Sequence, residues 1–411
     1  RAGGSTIFAL DVTDPSLLSS ETAVGQAALW EFTDGDMGLT YSTPVAVNTT
    51  AGFAVVFGNG YDSPNNKPVL YALNPQTGAT MAKIDLCAAV LVTDPTACNG
   101  ALPNGLSSVV AMNTTGAFLS GTSNVLYAGD LQGNLWRVDI SNSNPALWTV
   151  SVLFQARDPS GTPQPITVTP AVTLNPLIPT LTGTMVYFAT GQLLGIPDLS
   201  TTQVQSVYGI FDSGAAPPAP LQRADLQVQT MSSVNVTTTA MVNTSIRLLT
   251  SNAVNLPVQH GWYVDLNLAS GERVVTDPAL VNGTLQLTSY QPNASTCTGG
   301  GNGWYMVFDY ATGGATDAAQ FGWNSSDSIS SADLYMGQTV SGVSEGAVYA
   351  AGPKMVTGAG GAVVYTTSGG AEITTGPDAG ECTSIAGTTT SCIPKWQNLD
   401  SVSHGAWQEI R

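Results

Sequence analysis

The sequence predicts an all-β fold, a β-propeller with long loop excursions occupying residues 1–411 as a single domain. Three observations lead there. No stretch carries the 3.6-residue apolar period of a long amphipathic helix. Short runs rich in Val, Tyr, Phe, Trp and Thr are punctuated by Gly, Asn, Asp and Pro, which is the pattern of strands and tight turns. Several of these runs recur at roughly 55 to 65 residues, the length of a four-stranded blade with generous loops. A β-sandwich is the architectural rival, but one sandwich rarely needs 411 residues.

In chain order, the strand–turn–strand units open at Ser5 (STIFALDVTDP), Pro68 (PVLYALNPQTGA) and Val125 (VLYAGDLQGNLWRVDI). They continue at Met185 (MVYFATGQLLG), Gly261 (GWYVDLNLASGERV), Gly303 (GWYMVFDYATGG) and Ala362 (AVVYTTSGGAEI). The clearest hairpin is Asp130-Leu131-Gln132-Gly133-Asn134-Leu135-Trp136. There Asp and Asn accept the turn's backbone N–H groups, Gly supplies a positive φ, and the aromatic packs between sheets. Three stretches read as excursions, near 85–106, 216–258 and 376–400; the middle one starts Pro- and Ala-rich, then turns Thr/Val-rich as extra strands would. Long loops on a rigid scaffold are where recognition usually sits.

Composition places the chain outside the reducing cytosol. Cys87 and Cys98 bracket CAAVLVTDPTAC, and Cys382 and Cys392 bracket CTSIAGTTTSC; both pairs read as local disulfide clips. Neither has the CxxC spacing of zinc or thiol-redox sites. Cys297, in STCTGGG, is the odd cysteine, either a buried thiol or a partner for a segment elsewhere in a longer parent protein. Apolar residues make up 43% of the chain and charged residues only 9%, so surface polarity must come from Ser, Thr, Asn and Gln. The net charge of −17 argues against nucleic acid or an anionic membrane as partner. No run of about 20 apolar residues exists to span a membrane. The chain begins at Arg1 with neither Met nor signal peptide, as a processed product or a part of something longer would.

The residues also carry a family resemblance. LYAGDLQGNLWRVDI (126–140) and VVFGNGYDSPNNKPVLYALNPQTG (55–78) resemble the most characteristic segments of the PilC/PilY-type pilus adhesin and assembly family. IFALDVTDP (7–15), LWEFTDGDMGLTYSTPVAV (29–47) and QPITVTPAV (164–172) are similar to neighbouring segments, as are VYFATGQLLG and TTQVQSVYGIFD (201–212). GWYVDLNLASGERVVTDP (261–278) and GGGNGWYMVFDYATGG (299–314) complete the family's order, and the closing WQEIR (407–411) is compatible with it. One such phrase says little, since propeller repeats recur in unrelated proteins; the ordered series makes the resemblance.

That resemblance implies a modified, roughly seven-bladed propeller whose first blade starts upstream of Arg1. It implies a non-enzymatic protein, without cofactor, at the pilus tip or outer membrane surface, outside a bacterial cell. Its role would be to support pilus assembly, oppose retraction and promote adhesion. Partners would be minor pilins or tip proteins, with a host or abiotic surface contacted through a missing N-terminal region. Many members carry an acidic D-x-D-x-D-G calcium loop just before YAGDLQGNLW, because a hard cation needs several carboxylates crowded together. Here that stretch reads AMNTTGAFLSGTSNV, with Asn113, Thr115 and Ala117 at the first three ligand positions and Gly116 kept. No metal site is expected there. No RGD tripeptide occurs either, so integrin binding by that route is not carried over.

Other signals have blander readings. Asp34 and Asp36 in TDGDMG suit a turn better than an ion. His260 and His404 lack any sequence neighbour suggesting a catalytic partner. Asp265 and Glu272 could pose as the carboxylate pair of a glycosidase, but edge and turn roles fit them better. Trp136, Trp262 and Trp304 read as inter-blade packing before sugar-stacking platforms. Seven N-x-[ST] sequons, among them Asn48, Asn113 and Asn293, are expected by chance in so Ser/Thr-rich a chain. Two rival functions share the fold. A quinoprotein-like dehydrogenase would need calcium and a cationic partner for its quinone, hard to supply from 11 Lys and Arg. A lectin-like propeller would bind extracellular carbohydrate.

Overall fold

The computed structural model describes residues 4–114, 121–178, 181–236, 244–256, 258–293, 301–321, 331–348, 354–358 and 361–365. These form two compact units: Arg1–Gln192 with Gln205–Gln227 and Asn255–Tyr263, and Leu193–Val204 with Val228–Val254 and Val264–Arg411. Among the described residues the fold is mostly β, with antiparallel meanders and only short helices. No helix among the described residues is long and apolar enough to cross a membrane.

The first unit opens with a two-stranded sheet, Ile7–Leu10 against Ala28–Phe32. Between the strands, Asp14 caps a 3-10 turn that Pro15 starts, and Ser20 caps the helix Glu21–Ala27. Two four-stranded blades follow. The first is the meander Val45–Thr49, Gly52–Gly58, Val69–Leu73 and Thr80–Asp85. The second is Leu106–Met112, Val125–Asp130, Asn134–Asp139 and Thr149–Gln155. A third sheet runs Ala171–Leu174, Thr184–Ala189 and Gln205–Asp212. First strands thus open at Val45, Leu106 and Ala171, roughly 60 to 65 residues apart as the repeat required.

Every residue of Val69–Leu73, Val125–Asp130 and Gln205–Asp212 is buried. Both faces of these strands are covered, so their sequences read as continuous apolar runs rather than alternating ones. One core packs Val56, Leu70 and Ala72 of the first blade with Leu126, Trp136, Val138 and Val152 of the second. On another side, Phe57 stacks on Tyr71 at 5.3 Å while Phe32 of the opening sheet meets both rings near edge-on. The second blade is also tied to the third sheet by polar groups. Asp212, 1% exposed, accepts from Tyr127 Oη at 2.5 Å and Arg137 Nε at 2.8 Å.

The second unit departs from the four-strand pattern. Its main sheet has six strands in the order Met231–Val236, Thr244–Leu249, Gly342–Val348, Gly301–Asp309, Thr284–Pro292 and Ala279–Val281. The first two come from the Thr/Val-rich stretch of the 216–258 excursion and join the sheet through Ile246↔Val343 and Arg247↔Gly342. A separate hairpin pairs Lys354–Gly358 with Gly361–Tyr365.

Candidate functional site

Three blade strands of the first unit have a small residue and then a polar one at their C-terminal ends: Gly58-Asn59, Gly129-Asp130 and Ala189-Thr190. Each polar side chain reaches the backbone entering the blade's next strand. Asn59 Oδ1 accepts from Val69 N at 3.0 Å, Asp130 Oδ1 from Asn134 N at 2.9 Å, and Thr190 Oγ1 from Ser206 N at 2.8 Å. Asn59 does more. Its Oδ1 also accepts from Leu106 N, the first residue of the second blade, and its Nδ2 donates to the carbonyls of Asp36 and Lys67. A buried amide with all its capacity engaged fixes three chain segments at one point.

Asp130 is the densest of these nodes. It is fully buried, and its carboxylate accepts five N–H groups. Oδ1 takes the backbone N–H of Gln132 and Asn134, both at 2.9 Å. Oδ2 takes Asn104 Nδ2 at 3.1 Å, Asn134 Nδ2 at 2.9 Å and Trp136 Nε1 at 2.9 Å. Burial pushes its carboxyl above the ordinary aspartate value, against the pull of these donors, led by the Asn134 side chain.

The hairpin that Asp130 organises holds a disulfide-clipped loop. After Thr80–Asp85, Asp85 Oδ1 accepts from Ala88 N at 3.0 Å and caps the helix Leu86–Val90. Cys87 and Cys98 are bonded, with Cα atoms 5.9 Å apart, and both pack at the edge of the core. Leu86, Val90 and Ala97 turn inward to the cluster containing Trp148 and Val152. Beyond the bridge, the Gln132 amide clamps the returning chain: Oε1 accepts from Asn99 N at 2.8 Å, and Nε2 donates to Asn99 O at 2.9 Å and Leu102 O at 3.2 Å. Asn134 Nδ2 donates to Ala97 O at 2.8 Å, and Leu131 N donates to Asn104 Oδ1 at 3.1 Å. The loop's apex, Leu91 and Val92, is 62% and 95% exposed.

The remaining sequence candidates fall as follows. Asp34 and Asp36 share the Lys83 ammonium, 2.7 Å from a carboxylate oxygen of each. Asp34 Oδ1 also accepts from Asp36 N at 2.9 Å, as a turn residue does, and from Tyr71 Oη at 2.8 Å. Of the calcium-loop positions, Asn113 donates to the Thr122 carbonyl, while Thr115 and Ala117 lie outside the described residues. So do Cys297, Cys382, Cys392 and His404. Trp136 and Trp262 are fully buried, Trp262 lying against Gly209. The His260 backbone bridges Phe211 N and Asp225 O.

Glu272 closes a turn with its backbone, N donating to Ala269 O at 3.3 Å, but its side chain is not at an edge. In the second unit it is completely buried and doubly paired with Arg247, Nη2 to Oε2 at 2.7 Å and Nη1 to Oε1, and it also accepts from Ser289 Oγ. Arg247, 1% exposed, lies 3.9 Å above the Trp304 ring. Two desolvated charges are tolerable only when paired and hydrogen-bonded in this way. Sequence reasoning missed Arg247 because TSIRLLT offers no sign that its one charge points inward. It also missed Gln132, Asn104 and Asn99 as loop anchors, although two lie in the recognised hairpin and in an Asn-Gly turn.

The chain matches the family described as the PilY1 beta-propeller domain over residues 1–244. It is 34% identical over 337 residues to a type IV pilus biogenesis factor PilY1 homolog of Xylella fastidiosa, an alignment covering 76% of this chain and 21% of that protein. To the type IV pilus biogenesis factor PilY1 of Pseudomonas aeruginosa it is 33% identical over 362 residues, covering 78% and 29%. This chain therefore spans less than a third of either relative's length. Its structure is similar to the crystal structure of the P. aeruginosa PilY1 C-terminal domain, with a TM-score of 0.72, 29% identity, and coverage of 89% of this chain and 77% of the other.

Proposed function

Since the chain belongs to the PilY1 β-propeller family, we propose that it is the propeller of a type IV pilus biogenesis factor, working by protein contact rather than catalysis. We read residues 1–411 as one propeller domain, supported by a structural likeness that covers 89% of the chain. The observation that carries the reading is the match over residues 1–244, which contains the hairpin and its clipped loop. There the polar groups of Asp130, Gln132 and Asn134 hold the fold and the loop together, as an interaction scaffold would use them.

Minor pilins or other tip proteins are the proposed partners. Through them the protein supports pilus assembly, opposes retraction and promotes adhesion, with surface contact left to regions of the longer protein. The Cys87–Cys98 bridge supports a place outside the cytoplasm, at the pilus tip or outer membrane surface. The loop containing Asn113, Thr115 and Ala117 lacks the carboxylates that calcium requires, so partner binding is independent of that ion. The test is a pull-down of the purified chain against minor and major pilins, with and without EDTA. Capture of a pilin, unchanged by the chelator, is expected; failure to retain any pilin counts against the reading.

A further inference from the structure

The clipped loop has two kinds of fastening, and they differ in what they join. Both cysteines lie within the loop, 11 residues apart, so the disulfide closes the loop upon itself. The hydrogen bonds that cross from the returning segment to the second blade come from elsewhere: from Gln132 to Asn99 and Leu102, from Asn134 to Ala97, and between Asn104 and Leu131. Gln132 is 7% exposed and Asn134 is fully buried. Water therefore competes poorly for these bonds, and each amide is preset by Asp130, which binds the backbone N–H of both residues.

We propose that the hairpin Asp130–Asn134 is the docking receptor for segment Ala97–Pro103, and that docking there does not depend on the Cys87–Cys98 bridge. The loop is thereby a strap whose release point is the Gln132 amide rather than the disulfide. Gln132 acts as a positioning residue, holding the apolar apex in one orientation through the segment it clamps. Reducing conditions leave the strap in place; loss of the Gln132 donor frees it.

Hydrogen exchange of the Asn99–Leu102 amides in the whole chain tests this. In a Cys87→Ser/Cys98→Ser double variant their exchange is expected to stay within about twofold of wild type, whereas Gln132→Ala is expected to speed it about tenfold or more. Exchange in Val125–Asp130 and Trp136 fluorescence report whether each variant keeps its blade. Gln132→Glu supplies a readout that simple loss of packing would not move. Its carboxylate, when protonated, can donate to a loop carbonyl as the amide does; when ionised it faces the Asn99 and Leu102 oxygens. Docking in this variant should therefore appear on acidification and vanish at neutral pH. The wild type, run in parallel, controls for Asp130, which accepts from the Gln132 backbone N–H, and for Asp94 in the loop. Loss of protection in the cysteine variant equal to that in Gln132→Ala would overturn the proposal, as would a Gln132→Glu profile flat with pH.

Discussion

A single carboxylate, Asp130, decides more of this structure than any other side chain described. Replacing it with Ala leaves Trp136 Nε1, the Asn104 and Asn134 amides and two backbone N–H groups without their acceptor in a dry interior. Asp130→Ala is expected to destabilise the chain by about 3 kcal/mol or more in urea denaturation. At the surface the stakes are smaller. For Asp34, burial pushes the carboxyl up, but hydrogen bonds from Lys83, the Asp36 N–H and Tyr71 outweigh it and leave it below 3.8. Hydrogen bonds from Lys83 and Asn65 hold Asp36 below the same value, and bonding to both carboxylates raises Lys83 above 10.5. The carboxylates' contribution is present above their ordinary value and lost as pH falls through their lower folded values. The lysine's is present below 10.5 and lost as pH rises through its raised one. Lys83→Met should cost at most about 1 kcal/mol at neutral pH, because the cluster is solvent-screened. The difference from wild type in thermal unfolding should shrink toward zero in strong acid.

Among the elements, hairpins and strand junctions were unequally legible. Val281-Asn282-Gly283-Thr284 is a tight turn whose central residues have φ of 44° and 77°, and Asn-Gly announces such a turn from sequence. Gly60 has a similar φ of 74°, but a Cβ there would collide with the Leu39 carbonyl oxygen, while at Gly283 the nearest atom is 3.5 Å away on the Tyr310 ring. Gly283→Ala should therefore cost about 1 kcal/mol, the conformational penalty alone. Gly60→Ala should cost several times that, or prevent folding, as read by circular dichroism and urea titration. The strands of the first unit could be read because apolar runs and turn residues are local signals. The six-stranded sheet could not. Its hairpin Met231–Val236/Thr244–Leu249 joins strands nearly a hundred residues further on, and Arg247 finds Glu272 and Trp304 only in space. The hairpin at Asp130 was readable as a turn, yet its hold on the clipped loop depends on amides whose partners lie 33 and 37 residues upstream.

At the scale of the whole molecule, a chain with 28 acidic and 11 basic residues carries a strong excess of negative charge at neutral pH. That acidity alone does not make a calcium protein, since a hard cation needs carboxylates converging on one point. Calorimetric titration with calcium should show no saturable binding attributable to the loop around Asn113, and EDTA should leave the thermal midpoint unchanged. The order of attachments along the chain has a further consequence. Asn59 grips Leu106 directly, while the clipped loop lies wholly between Asp85 and that grip. The junction between the first two blades is thus held at Asn59 itself, apart from the clipped loop. The exposed tip at Leu91 and Val92 can be exchanged as a tool is changed in a fixed holder, provided the core residues Leu86, Val90 and Ala97 and the anchors Asn99 and Asn104 keep their places.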